Sequence, residues 1–209
     1  VEAGTARIKD RFESATSNLV ESLAAHGVTA TQVSLAGLVV TFVGAAMIAD
    51  GGFLLGPWVF AAGSTADALD GALARRTGTV SEWGAFIDST LDRIGEAAGI
   101  AAIAAWFAMQ GEIWGVVLAV TALLGGNLTS YVRARAEALG IECSEGWFGR
   151  PSRVTIFCLF LFLHLPLFMI HLLAIAACAT AAQRIYIVHR AFVARKRAAS
   201  ASDYEETHS

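Results

Sequence analysis

Apolar stretches of about twenty residues recur along this chain, and the breaks between them alternate between basic and free of basic residues. A run of that length spans a hydrocarbon layer as an α-helix, because in lipid every backbone N–H and C=O has to be paired within the segment. The runs fall at about 32–49, 53–72, 83–109, 113–135, 152–169 and 170–192. With 56% hydrophobic against 16% charged residues in 209, and a mean hydropathy of +0.57, the chain is too apolar for an ordinary soluble domain. The fold class predicted is an all-α polytopic membrane protein with six transmembrane helices.

The 15 Lys and Arg residues orient these spans. They occupy positions 7, 9, 11, 75, 76, 93, 133, 135, 150, 153, 184, 190, 195, 196 and 197. These lie in the N-terminal region, the 73–83 turn, the 133–153 connection, the C-terminus or the adjoining span ends. The connections near 50, 111 and 166 contain none. Basic loops stay cytoplasmic, which predicts cytoplasmic termini and a cytoplasmic 73–83 turn.

Residues 1–30 form a separate N-terminal region. Ile8, Phe12, Leu19 and Leu23 interleave with Arg7, Lys9, Arg11 and Glu13, as in an amphipathic helix lying along an interface or packed on other protein. The first residues lack the apolar core of a signal peptide, so the first span itself is expected to drive insertion. Thr29, Thr31 and Ser34 are available as helix caps before the first span. Asp50-Gly51-Gly52 reads as a turn, and Pro166 and His171 mark the last outer turn. Residues 31–197 make one membrane domain, and the polar tail 198–209 is expected to be disordered. Cys143, Cys158 and Cys178 show no metal-ligand spacing and suit apolar packing.

Within this apolar frame one polar stretch stands out, DALDGALARRTGTVSEWGAFIDSTLD, from Asp67 to Asp92. On a helix Asp67, Asp70, Gly71, Ala74 and Arg75 share one arc, and Gly84, Asp88 and Asp92 repeat at i, i+4 on the next. Carboxylates brought together at membrane depth repel one another, and each is costly unless paired. Three nearby arginines, Arg75, Arg76 and Arg93, do not neutralise and position all of them, whereas divalent cations held by carboxylate oxygens do. Asp67, Asp70, Asp88 and Asp92 are therefore candidate ligands of a two-metal site. Gly71 and Gly84 leave room for a ligand or for a second helix, and Arg75 is placed to meet a phosphate. Glu96, one turn beyond Asp92, reads as an internal polar contact.

A second basic group comprises Arg133, Arg135, Arg150 and Arg153, with Ser130 one turn before Arg133. Such residues serve lipid headgroups at the interface, or a pocket for an anionic acceptor. Arg184 lies further into the last span, where a purely interfacial role fits less well.

The pattern Asp67-x-x-Asp70-Gly71-x-x-Ala74-Arg75, eight residues, then Gly84-x-x-x-Asp88-x-x-x-Asp92 resembles the CDP-alcohol phosphotransferase signature at every fixed position. The resemblance extends to the N-terminal helix, six spans and a cytoplasmic active site. It implies transfer of a phosphatidyl-type group from a CDP-linked lipid to an alcohol, with release of CMP. It further implies two Mg²⁺ or Mn²⁺ ions, Asp92 as the base, and Asp67, Asp70, Gly71, Ala74 and Arg75 as contacts of the CDP-lipid. A homodimer in the plasma membrane of a prokaryote is implied as well, with membrane lipids as surroundings and no nucleic-acid partner.

Asp88-Ser89-Thr90-Leu91-Asp92-Arg93 looks like the inositol-phosphate enzymes of the family rather than those with Asp-Pro-x-Ala-Asp-Lys, which take glycerol phosphate. By that likeness Ser130, Arg133, Arg150, Arg153 and Arg184 are expected to bind the acceptor's phosphate. Two departures stand out: Thr29-Ala30-Thr31 replaces the usual Thr-Pro-Asn/Asp, and Arg133 replaces a lysine. Other readings are the same reaction with glycerol 3-phosphate or another alcohol, a membrane prenyltransferase, or a divalent-cation transporter.

Overall fold

The computed structural model of the chain describes residues 17–143 and 149–208, without the side chains of Asp67 and of residues 197–208. Of the amphipathic pattern expected over residues 1–30, Ile8 and Phe12 with Arg7, Lys9, Arg11 and Glu13 lie outside them, whereas Leu19 and Leu23 fall in a described helix. Every regular element described is an α-helix, and the chain divides into two compact units, Val1–Trp106 and Phe107–Ser209.

In the first unit, helix α1 (17–25) precedes α2 (Ala30–Ala49). Thr29 caps α2 in a reciprocal box: its hydroxyl accepts from Gln32 N–H at 3.3 Å, and Gln32 Oε1 accepts from Thr29 N–H at 2.9 Å. Of the three hydroxyl residues expected as caps, Thr29 takes that role and Ser34 takes another. Helix α3 (Gly56–Ser64) folds back on α2 after the Asp50–Gly52 turn, and the two meet through small residues. A Cβ on Gly44 would overlap the Phe60 backbone, and one on Gly63 would lie 2.6 Å from the Gly37 carbonyl oxygen. Helix α4 (Ala66–Thr77) also packs on α2, where a Cβ on Gly37 would overlap Ala66. Helix α5 (Glu82–Met109) carries Trp106, whose ring meets Phe53 edge-on at 4.9 Å.

The expected span 53–72 is two helices. The break falls at Thr65, whose hydroxyl turns back to donate to the Ala62 carbonyl at 3.0 Å. Gly63-Ser64-Thr65 is a run of weak helix formers, and hydroxyls that bond the preceding turn compete with the helical ladder.

In the second unit, α6 (Ile113–Ala138), α7 (Arg150–Phe162) and α8 (Pro166–His208) pack chiefly through α6 and α8. A Cβ on Gly125 would fall 2.9 Å from Ala177 Cβ, and buried Ala119, Ala122, Ala174 and Ala181 keep the seam narrow. Arg195 donates to the carbonyls of Leu139 (3.0 Å) and Gly140 (2.5 Å), tying α8 to the end of α6.

Among the described residues, three helices are long and apolar enough to cross a membrane: Ala30–Ala49, Ile113–Ala138 and Pro166–Lys196. Their outward faces are lipid-compatible, with Val39, Leu124 and Ile175 each more than 60% exposed. Helix α7 has 13 residues, about 20 Å of rise, and falls short of a ~30 Å hydrocarbon core. The boundary expected at 169/170 lies instead at 163–165. Pro166 opens α8, where its missing N–H costs nothing, and His171 is inside that helix. Helix α8 continues to His208, through the segment for which the sequence predicts disorder.

Candidate active site

The polar stretch becomes a helix–turn–helix. Gly78, in the left-handed conformation at φ 68°, closes α4, a conformation open to glycine because it lacks a Cβ. Three residues later the Ser81 hydroxyl accepts from Gly84 N–H at 3.1 Å and starts α5. A cavity of about 690 Å³ lies between α4, the start of α5 and the α1–α2 junction. Among the described residues, six of the signature line it: Asp70, Gly71, Ala74 and Arg75 from α4, Gly84 and Asp88 from α5. The two halves of the motif therefore face one space.

Asp70 is 5% exposed and accepts a hydrogen bond from the hydroxyl of Ser34 on α2. Arg75 folds back over Gly71, so that a Cβ there would lie 3.3 Å from its Nη1. Arg76 points elsewhere and pairs with Glu21 of α1 at 3.1 Å between two exposed side chains. Asp92, one turn beyond Asp88, is not among the cavity's lining residues. Its Oδ2 lies 3.6 Å from Arg93 Nη1, and the same nitrogen donates to the Ser89 carbonyl at 3.1 Å.

The donor set is all oxygen, the chemistry that Mg²⁺ and Mn²⁺ prefer, and a hydroxyl donor orients the buried Asp70. The residues present fit such ions by type. Among the described residues, which exclude the side chain of Asp67, no three of His, Cys, Asp or Glu form a group able to hold a metal ion.

The basic residues of the second unit differ from one another. Arg153 and Arg184 are buried, at 7% and 6% exposure. Arg150 and Arg153 occupy the first turn of α7. Ser130 is half-buried on α6. Arg133 is exposed, and its Nε donates to Glu137 at 2.8 Å, so its nearest anion is its own helix neighbour.

Two parts of the cavity wall are not legible as site residues in the sequence. One is Ser34; the available signal is a polar side chain in an apolar helix with no other until Thr41. The other is the α1–α2 junction, where Ala24, Gly27 and Val28 line the cavity without any chemical group to flag them.

A family model described as CDP-alcohol phosphatidyltransferase matches residues 27–196. The chain belongs to that family. Its members' chemistry makes it a transferase of phospholipid biosynthesis with membrane helices.

Among its relatives, an archaetidylinositol phosphate synthase of Pyrococcus horikoshii is 31% identical over 86% of this chain and 94% of its own length. A phosphatidylinositol phosphate synthase of Cutibacterium acnes is 44% identical over a shorter stretch, 48% of this chain and 49% of its own. The crystal structure of the Mycobacterium tuberculosis phosphatidylinositol phosphate synthase with CDP-DAG bound is similar in fold. Its TM-score is 0.78 at 29% identity, covering 83% of this chain and 92% of that one. The same enzyme in complex with manganese and citrate matches with the same score and identity.

Proposed function

We propose that this CDP-alcohol phosphatidyltransferase moves a phosphatidyl-type group, diacylglycerol or archaeol phosphate, from a CDP-lipid to inositol 1-phosphate and releases CMP. The observation that carries the reading is the cavity on which six signature residues of α4 and α5 converge. The names of the relatives and the Ser89-Thr90-Leu91-Asp92-Arg93 ending favour an inositol phosphate as acceptor.

Asp67, Asp70, Asp88 and Asp92 would hold two divalent ions, Mg²⁺ or Mn²⁺. When bound, such ions neutralise a pyrophosphate and make its phosphorus more open to attack. Gly71 and Ala74 leave space along α4 for the nucleotide, and Arg75 meets a phosphate oxygen with a guanidinium suited to it. Asp92 takes the proton of the acceptor's hydroxyl as its oxygen bonds to the lipid-side phosphorus and the bond to CMP breaks. Arg150 and Arg153 stand at the N-terminal end of α7, where the helix's own positive end disfavours cations and favours an anion. With Ser130, Arg133 and Arg184 they orient the acceptor through its phosphate, so that the attack starts from a positioned hydroxyl. The six-span, cytoplasm-facing topology rests on the partition of basic residues, and the homodimer on family likeness.

The test is CMP release from CDP-diacylglycerol by the purified protein, with inositol 1-phosphate, glycerol 3-phosphate, serine and free inositol as acceptors. Inositol 1-phosphate is expected to give the highest kcat/KM. Preference for glycerol 3-phosphate would overturn the acceptor and keep the reaction. No CMP with any acceptor, but pyrophosphate from a prenyl diphosphate or ion flux in liposomes, would overturn the reaction itself.

A further inference from the structure

Ser34 is the polar residue that α2 brings against the acidic helix, 36 positions away in sequence from Asp70. The contact is built rather than incidental. Along the seam between α2 and α4, Gly37 meets Ala66 so closely that a Cβ on Gly37 would overlap it. One turn along both helices, Ser34 meets Asp70. A serine side chain is short, and it reaches across two helices only where a glycine lets the backbones approach.

The hydroxyl has one proton and two acceptors within reach, the Ala30 carbonyl at 3.1 Å and Asp70 Oδ2. The carbonyl already serves the helical ladder of α2, whereas Oδ2 belongs to a carboxyl group that is 5% exposed and that the divalent-ion reading takes as ionised. Bonds to an ionised acceptor are about twice as strong as neutral ones, so the proton goes to Asp70. The Ala30 contact then fixes the serine rotamer against the preceding turn. Oδ2 is thereby tethered to α2, which sets the direction in which Oδ1 faces.

We propose that Ser34 is a positioning residue for Asp70, holding one carboxylate oxygen so that the other meets a divalent cation in the cavity. This deepens the divalent-ion reading above and rests on it. Groups that hold a metal-binding side chain in place typically change metal affinity by about 10–100-fold when removed. A purely structural hydroxyl would change stability and leave affinity alone.

The experiment uses the full chain in lipid nanodiscs and reads Mn²⁺ binding without substrate, from the electron paramagnetic resonance signal of free Mn²⁺, alongside thermal unfolding. Ser34→Ala is expected to weaken Mn²⁺ binding at least ~10-fold, and Ser34→Thr, which keeps the hydroxyl, to restore it to within about threefold. In turnover the Mn²⁺ concentration for half-maximal CMP release should rise in Ser34→Ala, with the KM for the acceptor unchanged. If Ser34→Ala fails to fold, Ser34→Cys, which keeps the volume and weakens the donor, is read in its place. A folded Ser34→Ala whose Mn²⁺ affinity stays within twofold of wild type overturns the proposal, as does equal loss in Ser34→Thr. Saturable Mn²⁺ binding absent from wild type would overturn the divalent-ion reading together with this one. Binding that is present in wild type and lost in Asp70→Asn, yet unmoved by Ser34→Ala, would overturn this one alone.

Discussion

The buried guanidinium of Arg184 on α8 donates through Nη1 to the Thr129 carbonyl on α6, 2.8 Å away. The Thr129 hydroxyl in turn donates to the Gly125 carbonyl at 2.8 Å, at the level where Gly125 packs against Ala177. An arginine at that depth therefore clamps two helices and brings a positive charge into their interior.

Removing it should have two effects. Arg184→Ala is expected to lose roughly 1–3 kcal/mol of stability through the broken buried contact and to raise the KM for inositol phosphate. Thermal unfolding and acceptor kinetics read the two separately. Lower stability with an unchanged acceptor KM would leave Arg184 a helix clamp only.

The long apolar runs of α2, α6 and α8 were legible in the sequence because lipid-compatible faces demand them. That Asp70 and Asp88 face one cavity was legible because carboxylates at helical spacing in an apolar segment have few explanations. The break at Thr65 was not, since Gly63-Ser64-Thr65 sits between two apolar stretches that hydropathy joins into one. Hydropathy puts Pro166 inside the run 152–169 rather than at the start of α8, because a proline ends a helix or opens one and the composition around it does not say which. Ser34 escaped because its role depends on the distance between α2 and α4, which Gly37 sets from three residues away.

Asp92→Asn tests the proton acceptor. An amide of the same shape does not take the proton of the attacking hydroxyl, and such groups typically contribute ~10²–10⁴-fold in rate. Transfer should fall by at least ~10²-fold while CDP-lipid binding, measured by protection against thermal unfolding, is partly kept. Normal turnover would remove Asp92 from that role.

Arg153 is buried near the start of α7, and its loss should act on the acceptor. Arg153→Ala is expected to raise the KM for inositol phosphate at least ~10-fold, the loss of about one charge-assisted hydrogen bond, with the KM for the CDP-lipid little changed. Steady-state kinetics with each substrate varied in turn decides this. Equal effects on both would return Arg153 to an interfacial or packing role.

Gly44 tests the α2–α3 seam that supports the site wall. A side chain there would fall 2.9 Å from Phe60 Cβ and closer still to the Phe60 backbone, which has no rotamer to relieve it. Gly44→Ala should cost about 1–3 kcal/mol by overpacking. Gly95→Ala is the control, because its added methyl would sit 3.5 Å from Thr41 Cγ2, an ordinary contact. Thermal unfolding in detergent should separate the two variants clearly; equal melting temperatures would mean that α2 and α3 move apart without cost.

The proposed orientation of the site rests on how basic residues are partitioned along the chain. The α4–α5 turn follows Arg75 and Arg76, and α6 ends in a segment carrying Arg133 and Arg135. The turn between α5 and α6, where Gly111 adopts φ 75°, contains no basic residue. Positive loops resist translocation, so Gly111 should lie outside the cytoplasm and the α4–α5 turn inside. A reporter that is active only outside the cytoplasm, fused at Gly111, should be active, and the same reporter fused at Gly78 silent. Activity at Gly78 would invert the orientation and place the cavity on the face away from cytoplasmic substrates.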